Sequence, residues 1–233
     1  MASFASKGCA PHILTLFASK LVDAMVGDFA AWKHSRWGLE AADTLTETRR
    51  AEDEAAAREL GASVRWLGVP DAIYRGDRYT SNAALYGPLH PEEHALAEHF
   101  ARELQQLPEW QPRTIVFMPL AVGHHVDHQI AFECGCVLAR RGVKVWAYED
   151  LPYAIHTPRS LDERRCQIAS RLLYEEPFLI ADSLARKLDA VSRYESQLPV
   201  IFRFNRDYCE ALSAHAMNVG GGAPAERFWR IRG

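Results

Sequence analysis

Apolar positions along the chain fall into short runs separated by longer polar stretches with helical periodicity. HILTLF (12–17) and TIVFMPL (114–120) read as buried strands, being short, apolar and rich in β-branched residues. ASVRWLGV (62–69) alternates like a strand, and KVWAYEDLPYA (144–154) reads as a further strand with polar residues placed at its end. Between them lie helical stretches. TLTETRRAEDEAAAREL, from Thr44 to Leu60, is built of good helix formers and closes at Gly61 in the C′ position. Its Arg49, Arg50, Glu52, Asp53 and Glu54 are expected to form a largely solvated charged face. HPEEHALAEHFARELQQL (90–107) opens at Pro91, and QIAFECGCVLAR (129–140) stops at Gly142.

Residues 21–40, with Trp32 and Trp37, read as a loop carrying a short helix, and 70–90 as an insertion loop. Beyond Pro158 the pattern is more helical: SLDERRCQIASRLL (160–173), ADSLARKLDAVSRYESQL (181–198) and a helix around 205–216. A Gly-rich turn at 220–222 precedes a closing ERFWRI. Strands alternating with helices at this spacing imply βαβ units. The expected fold is α/β and Rossmann-like, a mostly parallel sheet flanked by helices, in a single domain over 1–233.

Composition narrows the function classes. A net charge of −3 leaves no basic footprint for nucleic acid. The N-terminus lacks a basic region followed by a long apolar stretch, and no window reaches the roughly 18 apolar residues of a membrane span. Five widely spaced cysteines fit reduced thiols better than a disulfide framework. Cys134 and Cys136 form a C-x-C inside a helical run with no second pair to complete a zinc site, so they read as core thiols. A soluble, cytoplasmic protein without membrane or nucleic-acid partners is expected.

The chemistry concentrates in PLAVGHHVDH (119–128). Ligands of open parallel sheets bind beyond the carboxyl ends of strands, which is where this stretch falls. If a helix begins near His125, then His125 and His128 lie three apart on one face. Two such imidazoles can share a metal or divide roles between ligand and proton donor. Asp127 is placed to hydrogen-bond an imidazole N–H, and Gly123 to allow a sharp turn. The alternative is a solvated helix cap. One helix turn cannot supply the three protein ligands of a catalytic zinc site.

The stretch from PLAVGHHVDH through WAYEDLPYA resembles the second signature block of the PIG-L/LmbE-like deacetylases, zinc hydrolases of N-acetylated sugars and related molecules. TLFAS, RWGLEAADTLTETRRAEDEAAARELGA, VPDAIYRG, KLDAVSRYESQ and AERFWR follow in family order, so the resemblance covers most of the chain. It implies a Zn2+ cofactor and a small N-acetylated sugar-type substrate. It also implies His128 as a zinc ligand, His125 as the histidine at the reacting oxygen, and Asp127 as its carboxylate partner. His124 receives no role beyond shaping the loop. Arg49 and Glu52 match the family's R-x-x-E, making Arg49 a candidate substrate contact, with an ordinary solvated helix charge as the alternative.

One family feature is missing. The early P-H-x-D-D motif, which supplies a histidine and an aspartate to zinc and a second aspartate as general base, does not occur. PHIL (11–14) has the histidine alone, and HILTLFAS aligns better with the family's second strand. On that reading the chain begins late by about 30 residues, a strand and a helix. The expected consequences are weak zinc binding, exposed strand edges and homo-oligomerisation through them. His12 is a conceivable substitute ligand, though a histidine in an apolar strand is more often packed or hydrogen-bonded. His90, His94 and His99 are expected on an exposed helix face. A catalytically impaired relative with a retained sugar-binding or interaction role is the competing reading. A nucleotide-binding module ranks below both, since no G-x-G-x-x-G follows a strand.

Overall fold

The structure is a computed structural model that describes residues 1–20, 26–37, 42–204 and 207–233. In chain order its principal elements are α1 (Ala2–Ala5), β1 (His12–Thr15), α2 (Asp28–Trp37), α3 (Ala42–Leu60), β2 (Ser63–Trp66), α4 (Asn82–Leu85), α5 (His94–Gln105), β3 (Ile115–Pro119), α6 (Val126–Arg140), β4 (Lys144–Tyr148), α7 (Tyr153–His156), α8 (Pro158–Gln167), β5 (Leu172–Leu179), α9 (Leu184–Ser192), α10 (Leu198–Ile201), α11 (Tyr208–Val219) and β6 (Ala225–Ile231). They form two compact units, one of Met1–Leu85 with Ile180–Ala214, the other of Tyr86–Leu179 with His215–Gly233. Parts of the loop expected over 21–40, and residues 205–206 of the helix expected around 205–216, lie outside the described residues. Among the described residues no helix is long and apolar enough to cross a membrane.

In the first unit β1 and β2 pair in parallel, Ile13 opposite Val64 and Thr15 opposite Trp66. A parallel pair needs a helical crossover, and α3 supplies it. One stripe of α3 is buried through Leu45, Ala56 and Ala57, and the helix packs on α9. The expected solvated face of α3 is in part an anchoring face. Glu52 is buried and accepts hydrogen bonds from the Ser196 N–H (2.7 Å), the Ser196 hydroxyl (2.8 Å) and Gln197 Nε2 (3.3 Å). Asp53 accepts from Trp66 Nε1 (2.8 Å), the Tyr194 hydroxyl (3.0 Å) and the Thr15 hydroxyl (3.2 Å). Burying a carboxylate is tolerated when its lone pairs are filled in this way. Donors over 140 residues away in sequence leave no trace in local spacing, which is why a charged helix face looked solvated.

The segment 70–90 is better packed than an insertion loop. Ile73, Tyr74 and Tyr79 are buried, and the Arg75 guanidinium lies over the Phe17 and Tyr79 rings at 5.0 and 5.4 Å while donating to the Pro70 carbonyl. His34 is buried with its Nε2 2.5 Å from the Tyr74 hydroxyl. Burial, and secondarily the positive Arg49, holds its pKa below the ordinary 6.5. A lowered folded-state pKa means that the unfolded chain binds the proton more readily. The contribution of His34 is therefore present above about pH 6.5 and lost as pH falls below it towards the folded value. Urea unfolding between pH 7.5 and about pH 5 should show stability falling with pH, and a flatter slope in His34→Gln. An unchanged slope would rule out His34 as the source.

The second unit is built on a mixed sheet in the order β3-β4-β6-β5. β3 and β4 are parallel, whereas β6 runs antiparallel to both β4 and β5. Helix α6 covers one face, above the buried Met118, Val145 and Ala147. The helix comes so close at Gly135 that a Cβ there would sit 1.6 Å from Met118 Sδ. β5 corrects the helical reading of 160–173, because α8 ends at Gln167 and the chain is extended from Leu172. Pairing with β6 decides this, and Pro177 is admissible because β5 is an edge strand.

Cys134 and Cys136 lie buried in α6 and unbridged. Burial pushes their thiols up to about 12 and about 11. The thiolate is the reactive form, so both should resist thiol reagents in the native protein. Titration with an aromatic disulfide should consume the exposed Cys9 and Cys166 rapidly, and Cys134 and Cys136 only in denaturant. Rapid native labelling of either helix thiol would contradict the packing.

Candidate active site

The histidine stretch forms a tight turn from the end of β3 into α6. Ala121 (φ 65°), Gly123 (φ 85°) and His124 (φ 61°) all adopt left-handed backbone. For Ala121 and His124 this is sterically costly and needs fixed surroundings to persist. Those surroundings are visible. Arg164 Nε donates to the Leu120 carbonyl at 2.8 Å, and Gln129 Nε2 donates to the His124 carbonyl at 2.6 Å. The Val122 N–H donates to Asp150 Oδ2 at 3.0 Å. Gly123 also lies against Tyr153, where a Cβ would meet the ring at 3.4 Å.

His125 is the N-cap of α6, and its Nδ1 accepts the Asp127 N–H at 3.2 Å. With Nδ1 acting as acceptor, the neutral ring carries its proton on Nε2. His128, one turn on, is held differently: its Nδ1 lies 2.5 Å from Asp150 Oδ1. Asp150 is only 3% exposed and also receives the Val122 N–H, so it acts as the acceptor and the His128 proton sits on Nδ1. The Nδ1 side of the ring is thereby fixed, on a side chain that is 37% exposed. The two rings stand 5.5 Å apart, centroid to centroid, locked in opposite tautomers. Their Nδ1 atoms differ in role, an acceptor in His125 and a donor in His128, although their sequence setting is nearly the same.

Asp127 is buried beneath the turn, with a carboxylate oxygen within 4.8 Å of a His125 ring nitrogen. Tyr86 meets the His125 ring edge-on at 5.5 Å, and Tyr153 meets His128 edge-on at 6.2 Å. Burial, and secondarily the nearby Arg164, holds the His124 pKa below its ordinary value. Glu149, next to Asp150, is buried and binds His215 and, at 2.9 Å, Arg227.

The turn thus gathers His125, Asp127 and His128 within the second unit. Arg49 belongs to the first unit, half-buried on α3 near His34 and Tyr74. His12 hydrogen-bonds Ser63 Oγ at 2.5 Å, and His94 and His99 are exposed on α5. Asp150 is the residue that sequence reasoning passed over. The available signal was a pair of acids directly after a buried strand, at the sheet end where α/β sites assemble. A carboxylate behind one imidazole nitrogen is the usual support of a histidine metal ligand, so His128 fits one ligand position. Among the described residues, however, no group of three donors within 4.8 Å of one another includes His128. The donor set around it fits zinc only in part.

Comparison with known proteins gives a consistent picture. A family model described as PIG-L, GlcNAc-PI de-N-acetylase, matches residues 1–138. The 2'-N-acetylparomamine deacetylase of Niallia circulans is 30% identical over 191 residues, 79% of this chain but 64% of that protein, less than two thirds of its length. A deacetylase from the teicoplanin biosynthesis pathway superposes with a TM-score of 0.81 at 27% identity, covering 99% of this chain and 90% of that one. The deacetylase of the A40926 pseudoaglycone gives 0.77 at 26% identity, over 99% and 88%. The α/β architecture, the H-x-D-H turn and a family match over more than half of its length place this chain in the PIG-L/LmbE-like deacetylase family.

Proposed function

We propose that this protein is a zinc-dependent N-deacetylase, a hydrolase that removes the acetyl group from an N-acetylated sugar, with its 233 residues acting as one catalytic domain in the cytoplasm. The carrying observation is the pair of opposed tautomers at the carboxyl ends of β3 and β4. In the reaction, the oxygen of water bonds to the acetyl carbon, the C–N bond breaks, and the amine leaves with a proton. His125 presents its Nε2–H towards the acetyl oxygen and stabilises the charge that develops there. Asp127 supports it, its N–H filling Nδ1 so that the proton stays on Nε2. His128 is held by Asp150 as a metal ligand, and Arg49 is the proposed substrate contact. Zn2+, when bound, supplies Lewis acidity and a water of lowered pKa. A similar teicoplanin deacetylase, 25% identical, was solved in a zinc-inhibited form, so an assay should cover a range of zinc concentrations.

A second reading, an impaired relative that keeps a sugar-binding or interaction role, is supported by His128 belonging to no group of three close donors among the described residues. One experiment separates the two. Metal-free protein is titrated with Zn2+, and acetate release from N-acetylglucosamine-type amides is followed across the titration. Release that His128→Ala abolishes supports the deacetylase. No release at any zinc concentration, with stoichiometry well below one per chain, sinks it in favour of the second reading.

A further inference from the structure

The strand register of the second unit defines a sheet face that α6 does not cover. Met118, Val145, Ala147 and Trp229 point towards the helix side. On the opposite face the cross-strand rows bring together Ile115, Phe117, Trp146, Tyr148, Phe228 and Tyr174. Phe117 and Phe228 meet edge-to-face at 5.4 Å, as do Trp146 and Tyr174 at 5.5 Å. A sheet face turned to water alternates to polar side chains, whereas this one is aromatic across all four strands. Tyr174 is 53% exposed, Ile115 41%, Phe117 38% and Tyr148 37%. Trp146, between Phe117 and Tyr174, is itself 8% exposed, and exposed apolar side chains gathered around such a centre mark an interface.

Its charges indicate the occupant. Lys144 lies at the end of the face where β4 begins and Arg230 one row further in, opposite Trp146, their cationic groups 5.8 and 5.9 Å from the Trp146 ring. Glu176 and Glu226 lie towards the end where β4 finishes, Glu176 directly across from Phe228 and Glu226 two residues before it. A two-fold axis in the interface plane, running across the strands, reverses strand direction and keeps strand order. It therefore sets the basic end of one copy on the acidic end of the other while the aromatic rows meet in the middle. Such self-complementarity is the requirement of an isologous dimer. We propose that this face is the interface of a homodimer of the chain, packed sheet on sheet about that axis.

Sedimentation velocity on the intact protein, from about 1 to 100 µM, should show a species of twice the 26.3 kDa chain mass. Phe117→Asp should raise the dimer Kd at least about tenfold with an unchanged circular dichroism spectrum. Lys144→Glu, an exposed change that spares the core, should raise it about threefold or more, and adding Glu226→Lys should recover most of the loss. Raising salt should weaken the wild-type dimer. A monomer at every concentration would overturn the proposal. So would a dimer whose Kd is indifferent to both Phe117→Asp and Lys144→Glu.

Discussion

His125→Ala is expected to lower the turnover of deacetylation by about 100- to 10,000-fold, the span that positioned proton donors contribute. Alanine removes two things together, the Nε2–H and the N-cap acceptor of α6. Loss of a cap costs about 1 kcal/mol and would itself disturb the turn. His125→Asn separates the two contributions. Asparagine is a strong N-cap and restores an acceptor for the Asp127 N–H, but it cannot supply a titrating ring N–H. The expected result is a melting curve close to wild type with turnover still reduced by at least about 100-fold. An asparagine variant with full turnover would show that His125 serves the helix and not the reaction.

Asp150→Asn should have the largest effect on stability of any single substitution in the turn. Both carboxylate oxygens are used, one by His128 Nδ1 and the other by the Val122 N–H, in a side chain nearly sealed from water. An amide offers one acceptor and one donor group, so with its oxygen on the Val122 N–H its NH2 faces His128 Nδ1, and the two fit only if the ring moves its proton to Nε2. Losing the buried charge-assisted contact should cost about 2–4 kcal/mol. Urea denaturation reads this directly. The change also frees the His128 tautomer. If His128 is a metal ligand, zinc affinity should fall about 10- to 100-fold beside the stability loss. A loss of stability with unchanged zinc affinity would leave Asp150 a structural anchor and remove His128 from the metal.

Much of the site was legible in the chain because its parts are local. A β-branched apolar strand, a glycine turn and two histidines one helical turn apart occupy fourteen consecutive positions, 115–128, so spacing alone puts His125 and His128 on one face. The resemblance to a deacetylase family rested on blocks in fixed order, and the family match over residues 1–138 bears it out. What spacing could not reach was partnership. Asp150 stands 22 positions from His128 and 28 from Val122, and only the parallel pairing of β3 with β4 brings it to the turn. Glu52 and Asp53 looked solvated because their donors come from the segment after α9 and, for Asp53, also from β1 and β2. The start of β5, Leu172 and Leu173, was read as the end of a helix because its strand state is imposed by β6, a neighbour some fifty residues later.

The division follows from the range of the forces concerned. Helix periodicity, capping and turn chemistry act over a few residues, so the sequence by itself determined the α/β class, the position of the histidine turn and the identity of its histidines. Hydrogen-bond satisfaction of buried polar groups is settled only when distant segments meet. The His125 acceptor role is set locally by the N-cap, whereas tertiary structure alone decided that His128 turns its Nδ1 to Asp150.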